Sequence, residues 1–291
     1  MSIQWFPGHM ARARREVQEN LLRVDVVLEL LDARLPYSSR NPLIAEITTG
    51  KPRLVLLNKA DLADEESLSA WVSFFQREGL PVLRVNSQNG DGLQSLVPKC
   101  QDLLREKRDA MRRRGIRPPA IRGMILGIPN VGKSTLINRL ALRKAAKTGN
   151  RPGITTQQQW IKVGAELQLL DTPGILWPRF EDQRVGFCLA ASGAIRDEVL
   201  PLLEVALFVI RYLASHYPQA IAARYSLHLE AAGGSSVDAA AVLEQVGRRR
   251  GCLVSGGEID LEKAAEVLLT DLRNGKLGPL CLERPEDIGH A

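Results

Sequence analysis

The sequence predicts an α/β fold, a mostly parallel sheet with flanking helices, followed by a small all-helical C-terminal domain. Three observations predict it. Short β-branched or leucine-rich runs at residues 53–57, 81–85 and 121–126 each end in a polar or glycine-containing loop that leads into a helical pattern. Two further runs, 157–163 and 165–170, are parted by Gly164 alone, which reads as a hairpin. Beyond about residue 185 the strand signals fade and the apolar spacing becomes helical.

Along the chain, residues 24–31 form a buried-strand candidate, and 65–77 and 93–108 carry helical spacing between strands. Strand–helix–strand alternation implies right-handed crossovers within one sheet. A helical pattern over 135–142 follows the 121–126 run, and helices are expected over 201–215, 237–247 and 260–275. Asp260 opens the last, with Glu262 and Glu266 early in it, and Gly275 with Lys276 closes it. The expected organisation is an α/β domain over 1–184 and a basic helical domain over 185–291.

A chain of 291 residues favours two domains, and 45% hydrophobic with 25% charged residues is ordinary globular composition. The net charge of +6 favours encounter with a polyanion, so nucleic acid is the leading partner class. Cys100, Cys188, Cys252 and Cys281 are scattered, without C-x-x-C spacing, which argues against a disulfide framework or a zinc site and for a reducing cytosol. The N-terminal residues lack an apolar stretch behind a basic segment, and no run of about 18 apolar residues occurs, so secretion and membrane spanning are not expected.

Residues Gly127-Ile128-Pro129-Asn130-Val131-Gly132-Lys133-Ser134, followed by Thr135, match G-x-x-x-x-G-K-[ST] between a strand and a helix. The glycines let successive N–H groups converge on phosphate oxygens, the helix N-terminus adds a favourable dipole, and Lys133 adds a point charge. Ser134 can ligate Mg²⁺. Asp171-Thr172-Pro173-Gly174 follows the second hairpin strand, where the Asp can hold Mg²⁺ through water and the Gly174 amide can approach a terminal phosphate. Between these motifs lies the basic loop Arg151-Pro152-Gly153-Ile154-Thr155-Thr156, with Thr155 the first choice to complete the Mg²⁺ shell and Thr156 the alternative.

Asn58-Lys59-Ala60-Asp61 ends a strand in the N-K-x-D pattern. Its carboxylate can accept from the N1–H and exocyclic amine of guanine, a donor pair adenine lacks, and an unpaired buried carboxylate penalises the wrong base. Lys59 can lie along the ring, and Asn58 can tether the base loop to the phosphate loop. Asp61 or Asp64 could instead be helix caps. Asn86 and Ser87, ending the next strand, would put backbone N–H groups beside the guanine carbonyl. These base motifs precede the phosphate motifs, the reverse of the usual small GTPase. Ligands bind at the carboxyl ends of parallel strands, so spatial position rather than chain order assembles such a site. The expectation is a circularly permuted P-loop GTPase domain, with residues 100–119 as its new connection.

Alongside these motifs stand Trp5-Phe6-Pro7-Gly8-His9-Met10, Asp32-Ala33-Arg34 with Pro36, Arg40-Asn41-Pro42, and Gly247-Arg248-Arg249-Arg250-Gly251. The combination resembles the circularly permuted YlqF-type GTPases over nearly the full length. That resemblance implies a cytoplasmic factor that hydrolyses GTP to GDP and phosphate, acts late in assembly of the large (50S) ribosomal subunit, binds rRNA and is stimulated by the subunit. Ile175 stands where Ras-like enzymes carry a water-positioning glutamine. By residue type alone His9 reads as a structural or capping histidine; the resemblance assigns it the attacking water. It also implies a K⁺ ion at Asn130. Arg248, Arg249 and Arg250, with Lys263, Arg273 and Lys276, are candidate RNA phosphate contacts, against the plainer reading of a solvated charged face. The competing functions are an RNA-binding assembly placeholder with negligible turnover, and a GTPase acting on transfer RNA or at a membrane surface.

Overall fold

The computed structural model describes residues 9–141, 159–177, 180–227 and 237–288, with residues 9–13 described in their backbone alone. The elements run α1 (His9–Leu21), β1 (Val26–Asp32), α2 (Pro42–Ile47), β2 (Arg53–Asn58), α3 (Glu65–Arg77), β3 (Val82–Val85), α4 (Leu96–Leu103), α5 (Arg105–Arg113), β4 (Ile121–Leu126) and α6 (Lys133–Leu140). There follow β5 (Gln159–Val163), β6 (Leu167–Asp171), α7 (Gln183–Ser192), α8 (Leu202–His216), α9 (Pro218–Tyr225), α10 (Ala239–Arg250) and α11 (Leu261–Arg273).

The six described strands form one sheet in the order β3-β2-β1-β4-β6-β5, with only the β5–β6 pair antiparallel. Strand β1, Val-Val-Leu-Glu-Leu-Leu-Asp, is buried at every residue, as befits a central parallel strand covered on both faces. One face packs Leu28, Leu30, Leu56, Ile125 and Leu169 into a cluster that continues into the C-terminal helices. On the other face α1 and α2 cover Val27, Met124 and Leu170, while Leu68, Trp71 and Phe75 of α3 cover Leu31, Val55 and Leu57. The hairpin turns at Gly164, whose φ of 59° suits a residue without Cβ.

Several boundaries differ from expectation. The helix expected over 93–108 breaks at Leu104 (φ −105°, ψ 12°). The segment before the break buries Leu96 and Cys100, whereas α5 buries no residue and follows solvent instead of the core. Helix α6 starts two residues early, at Lys133, and ends at Leu140. Helix α10 extends to Arg250 and closes on left-handed Gly251. Asp64 caps α3 by accepting from the Ser67 amide at 2.9 Å, and Asp260 caps α11 through the Lys263 amide at 3.0 Å.

The C-terminal helices bury Val205, Val209 and Leu213 of α8 with Leu243 and Val246 of α10 and Ala265 and Leu268 of α11. The chain then returns to the segments that follow β1 and β2 and to α3. The Leu280 amide donates to the Leu62 carbonyl at 2.9 Å, the Leu282 amide to the Arg34 carbonyl at 2.7 Å, and Trp71 Nε1 to the Glu283 carbonyl at 3.1 Å. Among the described residues no helix is long and apolar enough to cross a membrane, and the four cysteines are buried free thiols.

Candidate nucleotide site

The parallel register brings the motif-bearing strand ends together. Asp32 pairs with Asn58 and Asn58 with Val85, so the residues leaving β1, β2 and β3 form one rim. Glu29 pairs with Leu126, which sets the phosphate loop beside that rim.

Asn58 joins the two motif groups. Its Nδ2 donates to the Val131 carbonyl at 2.8 Å, and its Oδ1 accepts from the Ser87 amide at 3.0 Å and hydroxyl at 2.7 Å. Gly132 adopts φ 106°, and a Cβ there would collide with the Asn58 amide, so glycine is needed for conformation and for clearance. Asn86 closes its own loop by accepting from the Gln88 and Asn89 amides at 2.8 and 3.2 Å. Lys59 is left-handed, at φ 60°, and its Nζ donates to Asp32 Oδ2 at 2.7 Å. Ala60 and Asp61 lie in the 3₁₀ turn that follows, with Asp61 exposed.

In the phosphate loop, buried Lys133 folds back to donate from Nζ to the carbonyls of Gly127 (3.1 Å) and Ile128 (2.7 Å). Burial pulls its pKa down to about 8 against the opposing attraction of Asp171. Burial in turn pushes Asp171 up to about 6, although Lys133 and the Thr172 amide act the other way. Among the described residues neither buried carboxylate oxygen of Asp171 has a hydrogen-bond partner. Such an orphaned anionic pair beside the phosphate loop fits a cation ligand. Ser134 and Thr135 occupy the first turn of α6, half-buried. Asn130, at φ 57°, donates from Nδ2 to the Gly193 carbonyl at 2.6 Å.

The D-x-x-G segment lies against this loop. A Cβ on Gly174 would come within 2.7 Å of Pro129 Cα, and the Ile175 amide donates to the Gly127 carbonyl at 3.2 Å. Asn41 accepts from the Leu43 amide at 2.9 Å to cap α2 and donates from Nδ2 to the Ile175 carbonyl at 2.9 Å. Thr155 and Thr156 lie outside the described residues, as does the His9 side chain; His9 is the first residue of α1.

Residues 122–228 match the family model described as 50S ribosome-binding GTPase. Ribosome biogenesis GTPase A of Bacillus licheniformis is 54% identical over 99% of this chain and 100% of the relative. The chain belongs to the ribosome biogenesis GTPase A family. Mitochondrial ribosome-associated GTPase 1 of Mus musculus is 35% identical over 97% of this chain and 90% of its own length. Among solved structures, GNP-bound YlqF from T. maritima covers 95% of this chain and 100% of that chain, at TM-score 0.62 and 26% identity. A GDP-bound TM YlqF covers 94% and 100%, at TM-score 0.65 and 27% identity. This ribosome biogenesis GTPase is therefore a GTP-binding, circularly permuted P-loop protein, and the six-stranded sheet with its helical C-terminal region is the fold expected.

The basic residues at the end of α10 are not equivalent. Arg248 pairs with Glu244 at 2.6 Å on the surface, and Arg249 Nη2 donates to the Ser226 carbonyl at 3.2 Å. Arg250 reaches Asp271 at 3.1 Å and stacks 5.2 Å from the Tyr225 ring centroid. Asp271 also takes Arg224 at 2.9 Å and Lys276 at 3.3 Å, while Arg273 is engaged by Asp197 at 2.8 Å. Sequence reasoning did not assign work to Asp32, Asn41 or Gly193. The first two stood only as parts of family patterns, and the third carries no local signal because its carbonyl matters only where α7 meets the phosphate loop.

Proposed function

We propose that this ribosome biogenesis GTPase hydrolyses GTP to GDP and phosphate during late assembly of the large (50S) subunit in the cytoplasm, binding rRNA and being stimulated by the subunit. The observation that carries the reading is the Asn58 bridge, which joins a guanine motif and a phosphate loop into one site. Its relatives, a ribosome biogenesis GTPase and a ribosome-associated GTPase, support the ribosomal partner. In this reading residues 1–184 hold nucleotide and 185–291 hold RNA.

Asp61 accepts from the guanine N1–H and amine, the Lys59 stem covers the ring, and Asn86 and Ser87 shape the loop beside the base carbonyl. Amides of Val131, Gly132, Ser134 and Thr135 surround the phosphates, and Lys133 exchanges its two carbonyl partners for phosphate oxygens. Gly174 contributes its amide at the terminal phosphate. Ser134, Asp171 and Thr155 would hold Mg²⁺, which when bound neutralises phosphate charge. Asn130 would help hold K⁺, a fixed positive charge near the phosphates. Ile175 is buried and apolar, and the family resemblance gives His9 the orienting of the attacking water. Arg248, Arg249 and Arg250 contact RNA phosphates, with Arg250 acting from its place beside Asp271.

The test is the GTP turnover rate with and without purified large subunits. Stimulation is expected, and His9→Ala should keep GTP affinity while losing most of that stimulation. Subunit binding without any rise in turnover would instead support an assembly placeholder. Co-sedimentation with transfer RNA or liposomes but not with subunits would overturn the ribosomal reading.

A further inference from the structure

The cation of the guanine motif is not left to solvent. Asp32, which receives Lys59 Nζ on Oδ2, is also gripped by Arg34, whose Nε reaches Oδ1 at 3.0 Å and Nη2 reaches Oδ2 at 2.9 Å. This is the two-pronged geometry that a planar guanidinium makes with a carboxylate and that a lysine cannot copy. The pair is 3% and 1% exposed. Burial alone would raise the Asp32 pKa, yet the Arg34 guanidinium and Lys59 ammonium hold it below the usual carboxylate range.

Arg34 has a further donor, and it points away from the nucleotide side. Its Nη1 donates to the Leu272 carbonyl at 3.0 Å and the Arg273 carbonyl at 3.4 Å, the last carbonyls of α11. A cation is favoured there because the closing turn of a helix leaves carbonyls unpaired. Arg273 makes a second connection from the same helix end. Its Nε and Nη2 reach the Ala191 and Ala190 carbonyls of α7 at 3.0 and 2.9 Å, two residues before Gly193, whose carbonyl holds Asn130 of the phosphate loop. The end of α11 thus touches the base motif through Arg34 and the phosphate loop through α7.

We propose that Asp32 and Arg34 are positioning residues of the guanine site, setting Lys59 against the base and making the C-terminal end of α11 respond to nucleotide. The inference rests on assigning Asn58-Lys59-Ala60-Asp61 to guanine. A lysine stem has four rotatable bonds, so it makes a flat cover for a ring only when its ammonium is pinned. Asp32 pins it. Asp32 is kept in place by Arg34, and the Arg34 guanidinium makes its remaining hydrogen bonds to α11. Seating a base on Lys59 therefore restricts a network whose far end is a helix of the C-terminal region. By linkage, anything that orders this end of α11 raises nucleotide affinity by the same factor.

Two measurements on the full-length protein test this. In the first, Arg34→Met and Arg34→Lys are compared with wild type for melting temperature, fluorescent GDP affinity, KM and kcat. Arg34→Met should weaken GDP about tenfold and raise KM by a similar factor, with kcat at saturating GTP within about twofold, and Arg34→Lys should recover only part of the loss. A folded Arg34→Met with wild-type KM overturns the positioning role, as does an equal loss in kcat and KM that tracks melting temperature. In the second, backbone amide exchange is followed in wild type with and without GDP. The amides of Asn274, Gly275 and Lys276, which donate to Thr270, Leu272 and Asp271, should exchange at least threefold more slowly with GDP. Unchanged exchange overturns the link to α11, and this measurement decides alone if the variants do not fold. The Asp61→Asn base switch tests the underlying guanine assignment separately.

Discussion

The two halves of the nucleotide site differ in how completely their polar groups are satisfied. On the base side, Asn58, Lys59, Asn86 and Ser87 have well-formed hydrogen bonds to other protein groups. On the phosphate side, Lys133 turns onto its own loop, and Asp171 has two buried oxygens with no partner among the described residues. Burial discourages charge on both, pulling Lys133 down to about 8 and pushing Asp171 up to about 6. Four groups of the base half are thus already engaged by protein, while Asp61 is exposed. The phosphate half buries an ammonium and a carboxylate whose charges burial disfavours, an environment that suits an anion with its cation.

The largest effect should therefore come from Lys133. Lys133→Ala removes the one charged side chain of the Gly127–Ser134 motif and is expected to weaken GDP by about 100-fold, the scale of a lost charge-assisted contact of about 3 kcal/mol. Titration of a fluorescent guanine nucleotide checks this; a wild-type affinity would mean that the two halves are not unequal in the way described. Next in size is Asn58→Ala, which strands the Val131 carbonyl and the Ser87 amide and hydroxyl. Chemical denaturation should show a loss of about 2 kcal/mol, with both base and phosphate affinity reduced. A loss confined to one half would show that Asn58 is no bridge.

Asp61→Asn should sharpen the contrast, because it alters selection without touching the phosphate half. We expect GTP affinity to fall by roughly tenfold while xanthine nucleotides gain, as a donor replaces one acceptor. Competition binding reads this directly, and an unchanged preference would remove Asp61 from the base site.

The smallest expected effect is a pH dependence at Glu283, where the C-terminal segment meets Ser38 and α3. Glu283 is buried and accepts from the Ser38 amide at 2.8 Å and hydroxyl at 2.9 Å. Burial pushes its pKa up to about 7, although those hydrogen bonds oppose the rise. Its unfolded value is 4.5, so the folded state binds more protons between these values. The protonated form's advantage is complete below about 4.5, and stability is lost as pH rises through 7. Glu283→Gln should remove that slope and stabilise the protein at pH 8 by on the order of 1–2 kcal/mol. Denaturation midpoints at pH 5 and pH 8 would show it; a slope that persists in the variant would assign it elsewhere.

Much of this was legible from residues alone where the signal is local. The hairpin at Gly164, the cap at Asp260 and the glycine-rich phosphate loop each depend on a few neighbouring residues, and the structure has them as read, while of the two capping alternatives Asp61 and Asp64 it is Asp64 that caps α3. The break at Leu104 was not legible, because 93–108 keeps its helical spacing even where the chain leaves the core. The sequence reading had a basic cluster at 248–250, but Arg250 could not be told from Arg248 until Asp271 and Tyr225 stood beside it.

By itself, then, the sequence determined which chemistry the protein carries and that its motifs stand in permuted order, since a P-loop or N-K-x-D turn is specified by contiguous residue types. Only the tertiary structure decided which of those groups are already committed. Asp32 meets Lys59 and Asn58 meets Val131 because parallel strands and long crossovers bring together residues far apart in the chain, and the C-terminal segment meets Arg34 and Leu62 only once the whole chain has folded. Hydrogen bonds made across such separations leave no period or motif behind. Their partners are chosen by the fold, and that choice settles which of the motif residues are already engaged within the protein.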